Sequence, residues 1–437
     1  MERVLCVDFG STFTKAVLVD PGSGELLGAA ATPTMLGTDV LDGYRTLLQR
    51  LGVRDGTPTL ACSSAGGGLR LAVVGHERQV TAEAGHRVGL SAGAKVVHVS
   101  AGRLDRAGVA ALRAARPDLL LLVGGTDGGN ADVLRHNATW LARARLAVPV
   151  VVAGNLAARD EVEAILGTTR RRTVLAANVL PEIGLIAPDS ARSAIRAAFL
   201  EHVIGGKGLS RGPLFARLVR APTPDAVLRG VEVLAEAHGV DILVVDVGGA
   251  TTDVYSCVTP RGEDATLRKD VVGPLWHART VEADLGMRWT ADGVVEAAAR
   301  EALPTSAGLA AYAGSLPERP AHLPVDARER AMDLELARLA VLVAVRRHGR
   351  PGQTAQRARS LGNVGLVVGS GGVLRHNDSP GVRGILEAVT SDHGGGWKVP
   401  TGARVGVDTA YLLFAMGLLA DREDGLARAL AHRVVGS

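Results

Sequence analysis

One short pattern occurs twice in this sequence, and it restricts the possible folds more than any other feature. In each copy an apolar run ends in an aspartate, a glycine-containing turn with hydroxyl residues follows, and a second β-rich run begins. The first copy covers residues 8–15 and the second covers residues 246–253. Each copy predicts a strand–turn–strand hairpin, so the same hairpin is expected once in each half of the chain.

The composition of these turns suits a phosphate group and its metal ion. Glycine lets the backbone turn sharply and approach a ligand, and successive backbone N–H groups in such a turn favour anions. Ser11, Thr12 and Thr251 add hydroxyl donors, and aspartates suit hydrated Mg²⁺, which takes oxygen ligands. Two such hairpins facing each other would hold a polyphosphate from both sides. For one copy alone, an ordinary β-hairpin with a glycine turn is an equally good interpretation.

A third glycine-rich motif lies in the second half of the chain. The apolar run of residues 364–368 ends in Gly369, Ser370, Gly371 and Gly372 and leads into a short helical start. Such a turn allows a flat ring or a ribose to lie against bare backbone, where any Cβ would clash. The three motifs together predict nucleotide binding far more strongly than one motif does.

Between about residues 81 and 155 the pattern changes to a regular alternation of strands and helices. This alternation predicts parallel βαβ units. Ligands of such sheets usually lie at the carboxyl ends of the strands, where the glycine-rich loop of residues 124–130 follows an apolar strand. A functional surface and a purely structural connection both remain open for this loop.

Helical patterns cover residues 225–237, residues 408–419 and residues 327–347, the last with strongly amphipathic spacing. We expect residues 1–238 to form the first half of the protein, with the α/β insertion at about 81–155, and residues 239–437 to form the second. Glu282 and Asp284 are weaker candidates for water or metal contacts, because acidic residues in the first turn of a helix would be equally ordinary.

Length and hydropathy restrict the class of protein. A chain of 437 residues is too long for one typical core, and 47% hydrophobic with 22% charged residues is typical of a globular protein. The longest apolar runs are far shorter than the roughly 20 residues that a membrane-spanning helix needs. The sequence passes from Met1 straight into a predicted strand, which leaves no room for a signal peptide. We therefore expect a cytoplasmic protein without a membrane partner.

Charge and cysteine patterns argue against two further kinds of site. Basic clusters occur at residues 170–172 and 346–350, but the net charge is only +4 and aromatic residues make up 3% of the chain. A nucleic-acid surface more often interleaves basic and aromatic residues, so no DNA or RNA partner is expected. Cys6, Cys62 and Cys257 form no C-x-x-C pair, and neither a zinc site nor an iron–sulfur cluster is predicted.

The three motifs, in this order, resemble those of the actin–Hsp70–sugar-kinase ATPase superfamily. That resemblance implies an α/β fold class: a two-lobed actin-like ATPase (ribonuclease H-like) fold with Mg-ATP in the cleft, and with the parallel βαβ module inserted in the first lobe. The helices at 225–237 and 408–419 resemble the two connecting helices at the hinge. The resemblance implies ATP and Mg²⁺ as cofactors, and it assigns residues to four roles. They are catalytic roles for Asp8, Asp246 and Asp253, water-mediated metal contacts for Asp8 and Asp246, phosphate contacts for Gly10, Ser11, Thr12, Lys15, Gly248, Gly249 and Thr251, and adenosine contacts for Gly369, Gly371 and Gly372.

Within the superfamily, the chain is similar to the accessory proteins of adenosylcobalamin-dependent glutamate mutase, the GlmL or MutL type, which is unrelated to the mismatch-repair protein of that second name. The stretches that carry the similarity span most of the chain: residues 8–15, 63–70, 123–130, 151–155, 178–184, 207–210, 222–228 and 246–256. The resemblance implies an ATP-dependent reactivating chaperone that exchanges damaged cobalamin on glutamate mutase or a related aminomutase.

Two departures from the expected patterns limit what the resemblance implies. The sequence has no Asp-x-His-x-x-Gly cobalamin-ligand motif, so the chain is not expected to be a mutase itself. Ala250 stands where many relatives have a third glycine, and ATP binding is expected to survive that methyl group. No residue is identified as the one that activates the attacking water.

Three other functions on a similar fold stay open. A small-molecule kinase would need a catalytic base aimed at a substrate hydroxyl, and no convincing base is found in the sequence. An activator of 2-hydroxyacyl-CoA dehydratases would need cysteines placed to hold an iron–sulfur cluster between subunits, and the three cysteines are badly placed for it. An actin-like scaffold is the fourth hypothesis.

Overall fold

The computed structural model describes residues 3–54, 56–204, 208–259, 277–350, 361–377, 379–394 and 399–434. Lys207, which belongs to one of the stretches that carry the family resemblance, lies outside the described residues. The chain divides into two compact units. Unit one comprises Met1–Leu228 and Gly417–Asp421, and unit two comprises Arg229–Thr259, Trp276–Met416 and Arg422–Ser437.

The described residues form fifteen strands and fifteen α-helices. The strands are β1 (Val4–Phe9), β2 (Phe13–Asp20), β3 (Glu25–Pro33), β4 (Thr59–Ser63), β5 (Arg70–Gly75), β6 (Lys95–Ala101), β7 (Leu119–Leu122), β8 (Val150–Val152), β9 (Thr173–Leu175), β10 (Val219–Pro222), β11 (Asp241–Val247), β12 (Thr252–Cys257), β13 (His277–Glu282), β14 (Val364–Ser370) and β15 (Arg404–Val407).

The helices are α1 (Val40–Arg50), α2 (Thr81–Ser91), α3 (Arg106–Ala114), α4 (Asp132–Arg143), α5 (Arg159–Gly167), α6 (Asp189–Ala198), α7 (Leu214–Leu218), α8 (Thr223–His238), α9 (Ala291–Arg300), α10 (Leu309–Ser315), α11 (Ala327–Gly349), α12 (Gly372–Arg375), α13 (Ser379–Ser391), α14 (Leu412–Ala420) and α15 (Asp424–Val434). The predicted helix at 225–237 is confirmed as α8. The helix predicted from residue 408 begins at Leu412 instead, as α14. Asp408 lies before it, and its carboxylate accepts hydrogen bonds from the backbone N–H groups of Leu412 and Leu413.

The same five-stranded mixed sheet occurs once in each unit. In unit one the order is β10-β4-β1-β2-β3, and in unit two it is β13-β12-β11-β14-β15. In each sheet the first three strands of the chain form an antiparallel meander, and two later strands join parallel to the first. Numbered along the chain, both sheets read 3-2-1-4-5, which is the ribonuclease H-like order. The predicted α/β fold of the actin-like ATPase class is thereby confirmed.

A third sheet, in unit one, is entirely parallel. Its order is β6-β5-β7-β8-β9, with α2 to α5 between its strands, so it contains the alternation expected at about 81–155 and strands on either side of that range. Numbered along the chain, its order is 2-1-3-4-5, a doubly wound arrangement. The loop of residues 124–130 lies at the carboxyl end of β7, as expected from the sequence.

Each unit buries its own apolar cluster. In unit one Phe9 packs edge-on against Phe215, with 5.0 Å between the ring centroids. In unit two α11 runs through the core, and its residues from Leu339 to Val345 are all buried. A helix that is apolar all round is a core helix, so the amphipathic character predicted for residues 327–347 is wrong for the C-terminal half of α11.

None of the helices in the described part of the chain combines the length and the apolar character needed to cross a bilayer.

Candidate nucleotide-binding site

The first hairpin closes through a turn that only glycine fits. The backbone N–H of Gly10 donates to the Phe13 carbonyl at 3.1 Å, and a Cβ on Gly10 would lie 2.5 Å from the same oxygen. The hydroxyl of Thr34 donates to the Gly10 carbonyl at 2.8 Å, which fixes the turn from beyond the end of β3. Ser11 and Thr12 are exposed on this fixed turn, so their hydroxyls are accessible to a ligand.

Asp8, at the end of β1, is buried but well supplied with hydrogen-bond donors. The Thr223 hydroxyl donates to its Oδ1 at 2.6 Å, and the Cys62 thiol donates to the same oxygen at 3.6 Å. Lys15, its cross-strand partner, places Nζ 3.7 Å from Oδ2. Burial, and then the Asp8 carboxylate, raise the pKa of the Cys62 thiol well above its ordinary value. Cys62 therefore stays a neutral donor to Asp8.

Thr223 and Cys62 are site residues that the sequence interpretation missed. Thr223 is the first residue of α8, and its local signal, a threonine between two prolines, predicts only a helix start. Cys62 lies on β4, which pairs parallel to β1 and places Cys62 beside Asp8 in register. Neither contact has a local sequence signature, because both depend on strand order.

The second hairpin has a similar turn and a different environment for its aspartates. The Gly248 N–H donates to the Thr251 carbonyl at 2.9 Å. Asp253 accepts from the buried Arg279, at 2.8 Å from Nε and 2.6 Å from Nη2, and from the Thr251 hydroxyl at 3.1 Å. Both carboxylate oxygens of Asp253 are thus engaged within unit two, one by Arg279 and the other by Thr251. The catalytic role of Asp253 stays a prediction.

In unit two the second hairpin and the third glycine motif lie side by side. Asp246 is half-buried, opposite Asp253 on one side and in register with Ser370 of β14 on the other. Gly371 follows β14 with φ +100°, and a Cβ on it would lie 2.1 Å from the Val247 carbonyl oxygen. Only glycine therefore allows the turn after β14 to close against the end of β11.

The predicted glycines divide into two groups by what their missing side chains would meet. A Cβ would clash with protein atoms within 3 Å at Gly10, Gly248, Gly369 and Gly371. At Gly249 the nearest atom is 3.9 Å away, and at Gly372 nothing lies within 4 Å. Gly249 and Gly372 are therefore the positions where a ligand has room to approach the backbone, and the other four are required by packing.

A segment of unit two that the sequence interpretation missed holds the second turn. The N–H groups of Arg288 and Trp289 both donate to the Gly249 carbonyl, at 2.8 and 2.9 Å, and the N–H of Met287 donates to the Gly248 carbonyl at 3.0 Å. The Thr290 hydroxyl donates to the Ala250 carbonyl at 3.1 Å. These contacts are non-local, so no sequence motif marks them.

Arg288 connects this segment to α11. Its guanidinium forms two hydrogen bonds with the buried Asp333, at 3.1 and 2.8 Å, and Asp333 also accepts from the Tyr312 hydroxyl at 3.0 Å. The turn of the second hairpin is thus connected to the core helix α11 through the Arg288–Asp333 ion pair.

Glu282 and Asp284, the weaker candidates, are both bound to one cation. Arg347 of α11 donates from Nη1 to Glu282 at 2.8 Å, and to both oxygens of Asp284 at 2.6 and 2.9 Å. Their carboxylates therefore serve as ion-pair partners, which favours a structural role over metal or water contacts.

The donors present fit a hydrated metal ion better than a directly coordinated one. Among the residues that the structure describes, no group of three or more His, Cys, Asp or Glu side chains is placed to hold a metal. Mg²⁺ usually keeps several waters and binds through one or two carboxylates plus phosphate oxygens. Asp8 and Asp246, each at the end of a central strand next to hydroxyl-bearing turns, fit that mode.

Comparison with known proteins decides the family. The family described as MutL protein matches residues 4–435 of the chain. The chain belongs to the MutL family. The curated protein MutL of Clostridium tetanomorphum is 34% identical over 449 residues, which is 96% of this chain and 96% of that one. The family predicted from the sequence motifs is confirmed.

Solved structures of low sequence identity also match this MutL-family chain. A nucleotide-free acetone carboxylase is 14% identical, with a TM-score of 0.41, over 95% of this chain and 70% of that one. A diol dehydratase-reactivating factor, also nucleotide-free, is 11% identical, with a TM-score of 0.38, over 97% and 100%. At these scores neither likeness bears on function, and the fold is identified by the order of the two mixed sheets.

Proposed function

We propose that this protein is an ATP-dependent accessory protein that reactivates an adenosylcobalamin-dependent mutase, with glutamate mutase as the client. The observation that supports this most directly is in the sheet of unit two. There a phosphate-type turn and a glycine-rich strand end lie on neighbouring strands, joined by the contact of Gly371 with Val247. Membership of the MutL family over nearly the whole chain supports the accessory role.

In this proposal, residues of both hairpins contribute to binding Mg-ATP. Bound ATP supplies a phosphoanhydride whose hydrolysis can drive a conformational cycle. Ser11 and Thr12 donate hydroxyl hydrogen bonds to phosphate oxygens, and Thr251 does so once its hydroxyl turns away from Asp253. The backbone at Gly249 and Gly372 gives the nucleotide room. Asp8 and Asp246 hold the waters of Mg²⁺, while Lys15 offsets part of the charge at Asp8.

Chaperone action requires the nucleotide to change the conformation of the protein. A ligand shifts a conformational equilibrium only by its differential affinity for the two states. In this proposal ATP and its hydrolysis products differ in how they engage Ser11, Thr12 and Thr251, because hydrolysis removes the terminal phosphate. The client mutase then responds to the state that ATP favours and releases damaged cobalamin.

The test is recovery of activity from cobalamin-inactivated glutamate mutase. The inactive enzyme is mixed with this protein and fresh adenosylcobalamin, with Mg-ATP, with Mg-ADP or with no nucleotide. We expect recovery only with Mg-ATP. No recovery, with tight ATP binding shown separately by calorimetry, would remove glutamate mutase as the client and direct the assay to aminomutases.

Variants of the aspartates make the test specific. Asp8→Asn and Asp246→Asn should each abolish ATP-dependent recovery, because each removes a carboxylate that holds the metal. Glu25→Gln, an exposed acid at the start of β3, is the matched control and should recover the mutase fully. Full recovery by both aspartate variants would overturn the proposed ATP site. Rapid ADP release with a sugar or carboxylate and no mutase would favour the kinase hypothesis.

A further inference from the structure

Cys257 lies outside the nucleotide motifs, at the end of β12. In the register of the sheet it pairs with His277, the first residue of β13. Directly opposite residues of an antiparallel pair have Cβ atoms about 4.5–5.5 Å apart, with side chains on the same face. A thiol and an imidazole are therefore neighbours at this edge of the sheet.

Glu232 of α8 completes a Cys–His–Glu arrangement. Its Oε1 lies 3.2 Å from Nδ1 of His277. Glu232 is buried, with 4% exposure, and its Oε2 accepts from Nη1 of Arg229 at 3.0 Å. Because Arg229 fixes one carboxylate oxygen, the other is held in place to orient the imidazole. A nucleophile, an imidazole and a group that orients the imidazole are thus contiguous, as in activated-nucleophile sites.

The charged surroundings of His277 stabilise its protonated form. The hydrogen bond with Cys257, and then the one with Glu232, raise the pKa of His277 to about 10, against the opposing effect of burial. Further along the two strands, Arg279 lies 2.6 Å from Asp253 and is paired with it. At neutral pH an imidazole in this environment is protonated, so it places a positive charge beside the Cys257 sulfur.

Cys257 is also the cysteine that a small reactant can reach. Cys6 and Cys62 are completely buried, with 0% exposure, whereas Cys257 is partly exposed and the side chain of its neighbour His277 is 46% exposed. Reactive cysteines are typically partly exposed and next to a cationic group, whereas buried ones are inert. The two buried cysteines therefore serve as internal controls.

We propose that Cys257 is a modification site for low-molecular-weight disulfides, with His277 as the cationic partner of the sulfur and Glu232 as the residue that positions the imidazole. The Cys257 thiol gives its proton to water, and the sulfur, held beside the His277 cation, attacks one sulfur of the disulfide. A new S–S bond forms as the old one breaks, and the departing thiolate takes up a proton from water. One thiol and one disulfide give one mixed disulfide and one thiol, so no further oxidant is needed.

The test uses the full-length protein with glutathione disulfide at neutral pH and no nucleotide, so it is independent of the proposed ATPase function. Peptide mass spectrometry follows the mixed disulfide at each cysteine over time. We expect modification at Cys257, none at Cys6 or Cys62, and full reversal by dithiothreitol. His277→Gln and Glu232→Gln should slow the reaction at Cys257 at least tenfold, and His376→Gln, an exposed histidine of the same unit, should leave the rate unchanged.

Each variant is checked for folding by circular dichroism before its rate is compared. Glu232→Gln preserves the shape of the side chain, so it remains informative if His277→Gln fails to fold. An unmodified Cys257, or unchanged rates in the folded variants, would overturn the proposal.

Discussion

At the scale of single residues, Gly371 and Gly372 are neighbours, but packing leaves no room for a side chain at the first and leaves room for one at the second. Gly371 needs its left-handed φ and its contact with Val247, whereas Gly372 faces open space as the first residue of α12. We predict that Gly371→Ala lowers the free energy of unfolding by about 2–3 kcal/mol through backbone strain. Gly372→Ala should preserve or slightly raise stability and weaken ATP binding at least tenfold, because its methyl group occupies the space left for the nucleotide.

Urea unfolding and calorimetric titration with Mg-ATP measure the two effects separately. The two variants are matched, since they add the same methyl group one residue apart. Equal loss of stability in both would contradict the assignment of Gly371 to packing, and unchanged ATP affinity in Gly372→Ala would contradict the assignment of Gly372 to the ligand.

The Thr223 hydroxyl is a second prediction at this scale. It donates to the buried Asp8 at 2.6 Å, and a buried charged group that loses a donor costs about 1–3 kcal/mol. Thr223→Val should therefore lower the free energy of unfolding by that amount in urea titrations, while Thr223→Ser, which keeps the hydroxyl, should stay close to the natural protein. Equal stability of the valine and serine variants would show that the bond contributes nothing.

At the scale of elements, the hairpins could be predicted because their information is local. An apolar run, a terminal aspartate and a glycine turn lie within about a dozen residues, and both hairpins form in register as expected. The partners of the aspartates could not be predicted in this way. Arg279 contacts Asp253, and Thr223 contacts Asp8, only once the order of the strands brings them together. A local sequence pattern does not specify that order.

Helix α11 is another element whose contacts could not be predicted from the sequence pattern. Its sequence predicts an amphipathic helix, but several of its polar residues make specific contacts inside unit two. The buried Asp333 binds Arg288, the half-buried Arg347 binds two acids near β13, and the buried His348 contacts the hydroxyls of Ser256 and Thr280 at 2.9 Å each. Because each partner comes from a distant element, α11 connects the turn of the second hairpin to the core of unit two.

The Arg288–Asp333 pair makes this connection testable. Removing one member of a buried ion pair leaves an uncompensated charge and costs about 3–5 kcal/mol, whereas replacing both with apolar residues is often far milder. Asp333→Leu alone should therefore destabilise the protein more than Arg288→Met with Asp333→Leu does, as measured by a double-mutant cycle in urea. Arg300→Met, which breaks only exposed contacts, should change stability little. Strictly additive effects of the two substitutions would contradict the coupling.

At the scale of the whole molecule, the two units share one sheet design but differ in their acidic groups. Among the described residues, acids with a lowered pKa are concentrated in unit two. They are Asp39 in unit one, and Asp284, Glu301, Glu329 and Asp392 in unit two. In unit two, Arg346 lowers the pKa of Asp392 by hydrogen bonding. Burial raises the pKa of Glu301, but Arg350 and Arg346 outweigh that effect.

This distribution predicts that acid weakens unit two first. A carboxylate whose pKa is lower in the folded state contributes stability above its unfolded pKa, and this contribution is lost as the pH falls through the folded value. The ordinary pKa values are 3.8 for Asp392 and 4.5 for Glu301, so the loss of stability should begin below about pH 5.

Hydrogen exchange in urea, started at pH 7, 5 and 3.5 and read by mass spectrometry, should show peptides of unit two losing protection before those of unit one. Asp392→Asn should lower protection in unit two at pH 7 and reduce its further decline towards pH 3.5, because the asparagine has no charge to lose. Earlier loss of protection in unit one would contradict the assignment of acid sensitivity to the arginine-bound acids around α11.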